Sequence, residues 1–172
     1  ALEALGAPQV MIVPNGMHRL DASVYKERYP DLVVCCPASA QAKVEQVVAV
    51  DNTDVDALSE LGMVVHSPAG GFENAYEVPL DDGVALICTD ILFHMEHLPG
   101  LSGLIMRYIT RSTGFFGVTG VGRFFIGKGL RGLTEWLREQ SGRRDLRVLT
   151  VAHGRSITVD VSGHLKAAAE RL

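Results

Sequence analysis

Cysteine is scarce in this chain. The 172 residues include three cysteines, Cys35, Cys36 and Cys88, and an odd number speaks against a framework of disulfides. Cys35 and Cys36 follow each other in an apolar run that reads as a strand. Alternation along a strand would send their side chains to opposite faces, which is poor geometry for a shared disulfide or metal. We therefore predict reduced thiols and a cytoplasmic location.

Long apolar runs are also missing. No segment reaches the about 18 uninterrupted apolar residues that a membrane helix requires, because Arg107 and Arg111 interrupt the nearest candidate, residues 98–116. No signal peptide is visible. The chain begins without Met, in residues 2–6 that resemble the end of a helix. We therefore predict no membrane span, and a processed or N-terminally truncated form of a longer protein.

A strong net charge is the third feature that the sequence lacks. The formal charge at pH 7 is −4, and nothing in that total calls for a nucleic-acid partner. Basic residues are nevertheless concentrated in the segment 103–147, which also contains four phenylalanines, Phe115, Phe116, Phe124 and Phe125. This segment predicts a surface for an anionic ligand or a membrane face, although basic residues on the solvated sides of helices explain the same pattern.

Short apolar runs alternate with helical stretches, an order typical of a sheet covered by helices. Asp82-Gly83 between two apolar runs predicts a hairpin, so we expect a mixed sheet within one α/β domain, residues 1–172. The glycine-rich residues 114–122 predict a flexible loop. Predicted strands are 9–13, 32–36, 63–66, 74–80, 84–88 and 147–152, and predicted helices are 21–29, 39–46, 101–110, 130–140 and 161–172.

Polar side chains follow three of the predicted strands. Asp90 and His153 each come directly after an apolar run, and His18 follows the first strand in the same way. Strand ends in α/β sheets bring side chains into a common crevice. A carboxylate and two imidazoles form a sensible metal or acid–base set. The alternative is that Asp90 caps a helix and that His153 belongs to a turn.

Further candidates are less specific. His94 and His97 are three residues apart and would share one face of a helix, so His94 is a possible extra metal ligand, or simply part of a helix start. Glu73 and Glu77 are candidate bases that we expect to be solvated. Hydrolysis without a metal would need a nucleophile and a base that activates it. Cys88 and Thr89 are possible nucleophiles, but neither has an evident base.

The order of these elements resembles the metallo-β-lactamase superfamily: a His-bearing turn after a strand, a Gly-rich turn, a hairpin, a strand ending in Asp90, helices, and a strand ending in His153-Gly154. More narrowly, residues 12–18 followed by 25–31 are similar to members catalogued only as a domain of unknown function. The resemblance covers nearly the whole chain. It implies a four-layered αββα sandwich whose N-terminal strands are missing here.

The resemblance also assigns roles to residues. Asp90 would match the metal-bridging aspartate, His153 the late metal-binding histidine and His18, loosely, the end of the His-x-His-x-Asp-His motif. Asn15 and Met17 stand where other ligands would be, and no histidine occurs in the turn at 68–71. The metal motifs are therefore degenerate, and we expect at most one divalent metal (zinc, iron or manganese), or none.

Two functions follow from the resemblance. The first is a divergent single-metal hydrolase that acts on an ester or thioester-like bond, with Asp90 and His153 as catalytic residues and His18, Asp90, His153 and His94 as the candidate metal ligands. The alternative is a non-catalytic binding or structural module that kept the fold and lost the metal site. We expect a small-molecule substrate or an anionic ligand as partner. An exposed sheet edge would favour a homodimer.

Overall fold

The computed structural model describes residues 2–71 and 73–172. The chain divides into two compact units, Ala1–Val65 and His66–Leu172. Within the described part, none of the helices has the length and apolar character to cross a bilayer. The three cysteines are buried and free.

The first unit contains a three-stranded parallel sheet in the order β1-β2-β3. Apolar side chains from β1, β2 and the segments around them form its core, including Val13, Val34 and Val44. Its strands are β1 (Val10–Ile12), β2 (Val33–Cys36) and β3 (Asn52–Thr53), and its helices are α1 (Ala22–Arg28), α2 (Gln41–Val44) and α3 (Asp54–Ser59).

Burial of the thiols in this unit changes their chemistry. Removal from water raises the pKa of Cys35 to about 12 and that of Cys36 to about 11. A thiol with such a pKa stays protonated at neutral pH, and the protonated form is neither a good nucleophile nor a metal ligand. Cys35 and Cys36 therefore act as small apolar residues of the fold.

The second unit is built on a mixed sheet in the order β4-β5-β6-β9, in which only the last residue of β4, His66, belongs to this unit. Strands β5 and β6 form the predicted hairpin, with Leu80 opposite Gly83. Strands β6 and β9 are parallel neighbours, and a parallel pair requires a long crossover connection. The four strands are β4 (Val64–His66), β5 (Ala75–Leu80), β6 (Gly83–Ile87) and β9 (Leu146–Thr150).

The connection between β6 and β9 contains most of the helices of the second unit. A two-stranded antiparallel ribbon, β7–β8, accompanies them. Leu133, Leu137 and Leu165 are fully buried in the core that the helices share with the sheet. The elements are β7 (Phe93–Met95), α4 (Gly100–Tyr108), β8 (Phe115–Gly117), α5 (Gly120–Ile126) and α6 (Leu130–Ser141), and α7 (Val161–Glu170) follows β9.

The predicted α/β class with a mixed sheet is confirmed, but two local predictions are wrong. Residues 114–122 form β8 and the start of α5 rather than a flexible loop, because Phe116 and Val118 are buried in the core. The segment around His94 is strand β7 rather than a helix. His94 and His97 therefore do not share a helix face.

Candidate active site

Asp90 and His153 come together at one edge of the second unit's sheet. Because β6 and β9 are parallel neighbours, their carboxyl ends lie at the same edge, and the two side chains follow these ends. His153 Nε2 lies 3.2 Å from Asp90 Oδ1. The two strand ends at which the sequence predicted a site therefore bring a carboxylate beside an imidazole.

A buried carboxylate holds the turn that carries Asp90. Glu73 is fully buried, and its Oε2 accepts a hydrogen bond from the main-chain N–H of Asp90 at 2.9 Å. Its Oε1 accepts a hydrogen bond from the Thr89 hydroxyl. The prediction that Glu73 is solvated is wrong, because its carboxylate replaces water as the acceptor for two polar hydrogens of this turn.

The contact between Thr89 and Glu73 also corrects a second expectation. Thr89 was predicted to have no base, yet its hydroxyl donates directly to a carboxylate. That carboxylate is fully buried, and the same group holds Asp90 through its main chain. The neighbouring Cys88 is no better as a nucleophile, because burial raises the pKa of its thiol well above the ordinary range.

His153 is held by its ring and by its backbone. Its ring stacks on that of Phe93, with centroids 4.8 Å apart and planes 14° apart. Its carbonyl oxygen accepts a hydrogen bond from the N–H of His94 at 2.9 Å. Gly154 has a φ of +120°, and a Cβ there would collide with the carbonyl of His94. Only glycine fits this turn, which lets the two backbones approach.

Accessibility differs between the two partners. Asp90 is buried, whereas 48% of the His153 side chain is exposed. Solvent or a substrate can therefore approach from the imidazole side while the carboxylate stays in a fixed position. A carboxylate oxygen and an imidazole nitrogen are both ligands for zinc and related divalent metals, and the same pair can move a proton. The donor types and their closeness fit a metal.

The first unit contains His18, which is exposed in the turn after β1. Asn15 is buried, and its Oδ1 accepts hydrogen bonds from the N–H groups of Met17 at 2.8 Å and His18 at 3.2 Å. Asn15, which stands at a ligand position of the resemblance, therefore orders this turn. Metal ligation by His18 stays a prediction.

His94 makes contacts of its own. Its Nδ1 lies 2.8 Å from the carbonyl oxygen of Arg155, and its ring meets those of Phe116 and His164 at centroid distances of 5.8 and 6.1 Å. His97 contacts the Thr113 hydroxyl at 3.1 Å. Ligation of a metal by His94 stays a prediction, but the helix on which it rested is absent.

Sequence reasoning missed a second histidine–carboxylate pair. His66 Nε2 lies 2.6 Å from Glu77 Oε1, and Arg143 donates to the same oxygen. Burial alone would raise the pKa of Glu77, yet the hydrogen bonds from Arg143 and His66 outweigh burial and lower it. Arg143 also binds both carboxylate oxygens of Asp145, at 3.0 and 2.7 Å, and lowers the pKa of Asp145 to about 2. Glu77 is thus buried, and the prediction that it is solvated is wrong.

The solved structures with a similar fold include metallo-β-lactamases. The enzyme from Erythrobacter litoralis, solved with beta-mercaptoethanol in its active site, matches with a TM-score of 0.54 and 9% identity over 95% of this chain and 68% of its own. FIM-1 from Pseudomonas aeruginosa in its mono-zinc form matches with a TM-score of 0.52 and 9% identity over 95% of this chain and 66% of its own.

The structure of VMB-1 at pH 5.5 has a TM-score of 0.54 and 12% identity over 99% of this chain and 71% of its own. The chain thus spans about two thirds of the length of the structures it matches, between 66% and 71% of these three. No model of a protein family matches the chain, and no curated protein does. The predicted metallo-β-lactamase type of fold is confirmed.

Proposed function

We propose that this chain, which has the metallo-β-lactamase fold, is a hydrolase that uses a single divalent metal held by Asp90 and His153. The observation that carries the proposal is the 3.2 Å approach of His153 Nε2 to Asp90 Oδ1 at the ends of two parallel strands. Zinc, iron and manganese all accept this combination of nitrogen and oxygen donors. A third ligand, His18, follows from the sequence order alone.

The metal supplies one element of the chemistry. When bound, a divalent ion acts as a Lewis acid, polarises a carbonyl group and lowers the pKa of water to about 7. Both effects would accelerate the hydrolysis of an ester or a thioester. A mononuclear site suits the few ligands that the sequence offers.

The chain's own residues position the two metal ligands. Glu73 fixes the main chain of Asp90 through a hydrogen bond of 2.9 Å, and this constraint limits the positions that the Asp90 carboxylate can adopt. Phe93 restricts the rotation of the His153 ring by stacking on it. The His153 side chain is 48% exposed, so a metal held by its imidazole and by Asp90 would be open to water and to a substrate. Two fixed ligands and an open side are the arrangement of a catalytic metal site.

The test compares the parent protein, purified without a chelator, with the Asp90→Asn variant. This substitution preserves the size of the side chain. We expect a near-stoichiometric divalent metal in the parent protein by elemental analysis. In Asp90→Asn both the metal content and the hydrolysis of an activated ester should fall by at least about 100-fold, because a ligand and a negative charge are lost. Equal metal content in the two proteins would contradict the assignment of Asp90.

A protein without metal and without ester or thioester hydrolysis would favour the alternative, a binding module that kept the fold. The cytoplasmic location and the homodimer also stay predictions. Light scattering tests the homodimer, which a monomeric mass would exclude.

A further inference from the structure

One cavity of the His66–Leu172 unit is lined by arginines. Its volume is about 340 Å³, which falls within the range of about 300–1,000 Å³ that small-molecule sites occupy. Neither Asp90 nor His153 contributes to it. The residues that line it come from the α4–β8 connection, from β8 and the residue after it, from α5 and from the C-cap of α7: Arg111, Phe115, Val118, Gly120, Arg123 and Arg171.

Two of the guanidinium groups are held in place by main-chain acceptors. Arg171 Nη1 donates to the carbonyl of Phe116 at 2.8 Å, and Arg123 Nη2 donates to the carbonyl of Arg171 at 2.6 Å. The Arg171 guanidinium also lies over the Phe115 ring, 5.6 Å from its centroid. Each arginine carries five N–H donors, so these contacts fix the groups and leave donors available to a ligand.

The third arginine, Arg111, has an unusual backbone conformation. Arg111 has a φ of +48°, in the left-handed region that residues other than glycine avoid, at a cost of about 1 kcal/mol. The N–H of Gly120 donates to the carbonyls of Thr110 at 3.0 Å and Arg111 at 3.3 Å, which stabilises this conformation. A Cβ at Gly120 would lie 2.8 Å from the Thr110 oxygen. Such local strain is typical of binding sites.

Charge decides what the cavity accepts. In the part of the chain that the structure describes, none of the three guanidinium groups forms an ion pair with a carboxylate. Like charges lining one cavity repel each other unless an anion lies between them. Guanidinium groups bind phosphate oxygens through paired, charge-assisted hydrogen bonds.

We propose that this cavity binds the phosphate group of a small organic molecule. The arginines neutralise the phosphate, and Phe115 and Val118 provide an apolar wall for the remainder of the ligand. The site goes beyond the proposed hydrolysis, because it contains neither of the residues assigned to the metal.

The test is a calorimetric titration of the untreated protein with inorganic phosphate and with pyrophosphate, at constant ionic strength set by chloride. We expect saturable binding by the parent protein. In Arg123→Gln and Arg111→Gly the Kd should rise by at least about 10-fold, because each loses a charge-assisted contact. Arg111→Gly tolerates the left-handed backbone, so any loss of binding reflects the side chain. The matched control is Arg138→Gln, an exposed arginine of α6, which should bind as the parent does.

Other results have defined meanings. Equal weakening in Arg138→Gln would show a non-specific charge effect and overturn the proposal. Phosphate binding that is lost in Asp90→Asn but kept in both arginine variants would assign the anion to the metal site, and would also overturn it.

The phosphate group could also come from a lipid, because Phe124 and Phe125 of α5 are 82% and 62% exposed. Flotation with vesicles of phosphatidylcholine, with or without phosphatidic acid, separates the two sources. Binding only to phosphatidic acid, lost in Arg123→Gln, would support the phosphate site with a lipid as its ligand. Binding neither to soluble phosphate nor to these vesicles would overturn the proposal.

Discussion

The second unit contains two histidine–carboxylate pairs that differ in their surroundings. His66 Nε2 lies 2.6 Å from Glu77, and His153 Nε2 lies 3.2 Å from Asp90. Glu77 also accepts a hydrogen bond from Arg143, and the His66 side chain is 24% exposed, half the value of His153. Residue types alone therefore do not identify a site. The neighbours decide whether a pair holds the fold together or stays accessible for chemistry.

The arginine explains the difference in chemical terms. A guanidinium group stays protonated in proteins and binds no metal, so Glu77 has a permanent cation as its partner. Asp90 instead contacts an imidazole, a group that can bind a proton or a metal. The first pair thus links β4, β5 and the end of α6, whereas the second is open to a ligand.

The largest expected effect comes from Glu77→Gln. This change removes the charge that accepts hydrogen bonds from Arg143 and His66, while Arg143 keeps its bonds to Asp145. Weakening two such charge-assisted hydrogen bonds costs about 3 kcal/mol in the free energy of unfolding. Urea denaturation measures it. The matched control is Glu135→Gln, because Glu135 and Arg131 form an exposed pair whose loss should change stability by less than about 0.5 kcal/mol. Similar losses in the two variants would contradict a structural role for the Glu77 pair.

Acid should remove the same stabilisation. The pKa of Glu77 is lower in the folded protein than its ordinary value, so its contribution is fully present above the unfolded pKa of about 4.3. It is lost as the pH falls through the lower, folded pKa. The stability difference between the parent and Glu77→Gln should therefore shrink below about pH 4. A difference that is constant between pH 7 and pH 3 would exclude this linkage.

Glu73→Gln should act on the metal site instead. Glu73 accepts hydrogen bonds from the Thr89 hydroxyl and the Asp90 N–H, and the amide of glutamine has one acceptor oxygen for the two donors. Loss of such an orienting partner typically weakens metal affinity by about 10–100-fold. Titration against a competing chelator measures the affinity, and Glu77→Gln serves as the control that should keep it. An unchanged affinity in Glu73→Gln would show that Glu73 does not position Asp90.

Phe93→Leu should have the smallest effect of the three substitutions. It removes the stacked ring that restricts His153, and such ring pairs contribute about 0.5–1.5 kcal/mol. Metal affinity should therefore fall by no more than about 10-fold. Phe124→Leu is the control. Because Phe124 is exposed on α5, this substitution should leave the metal affinity unchanged. A larger loss for Phe93→Leu than for Glu73→Gln would reverse the order of importance that the contacts indicate.

Part of the site could be predicted from the sequence. Apolar runs identified β6 and β9, and Asp90 and His153 stand out because each directly follows such a run. The 3.2 Å contact also needed β6 and β9 to be parallel neighbours, which the apolar pattern of neither strand encodes. Glu73 was missed as an orienting group for the same reason, since its partner lies 17 residues away.

Local composition misled where tertiary packing prevailed. Glycines in residues 114–122 favoured a loop, but buried Phe116 and Val118 anchor a strand and the start of a helix there. The spacing of His94 and His97 suggested a helix, whereas the pairing of β7 with β8 determines the backbone. The polar strand β3 and helix α3 lack the apolar periodicity that would have predicted them.

The most direct test of the central claim is the metal content of His153→Ala beside that of His66→Ala. Each variant removes one imidazole from a histidine–carboxylate pair of the same unit. The proposed site predicts that His153→Ala loses the metal and that His66→Ala keeps it in the parent stoichiometry, whatever stability it loses. Full metal content in His153→Ala, or equal loss in both variants, would contradict a metal site at Asp90 and His153.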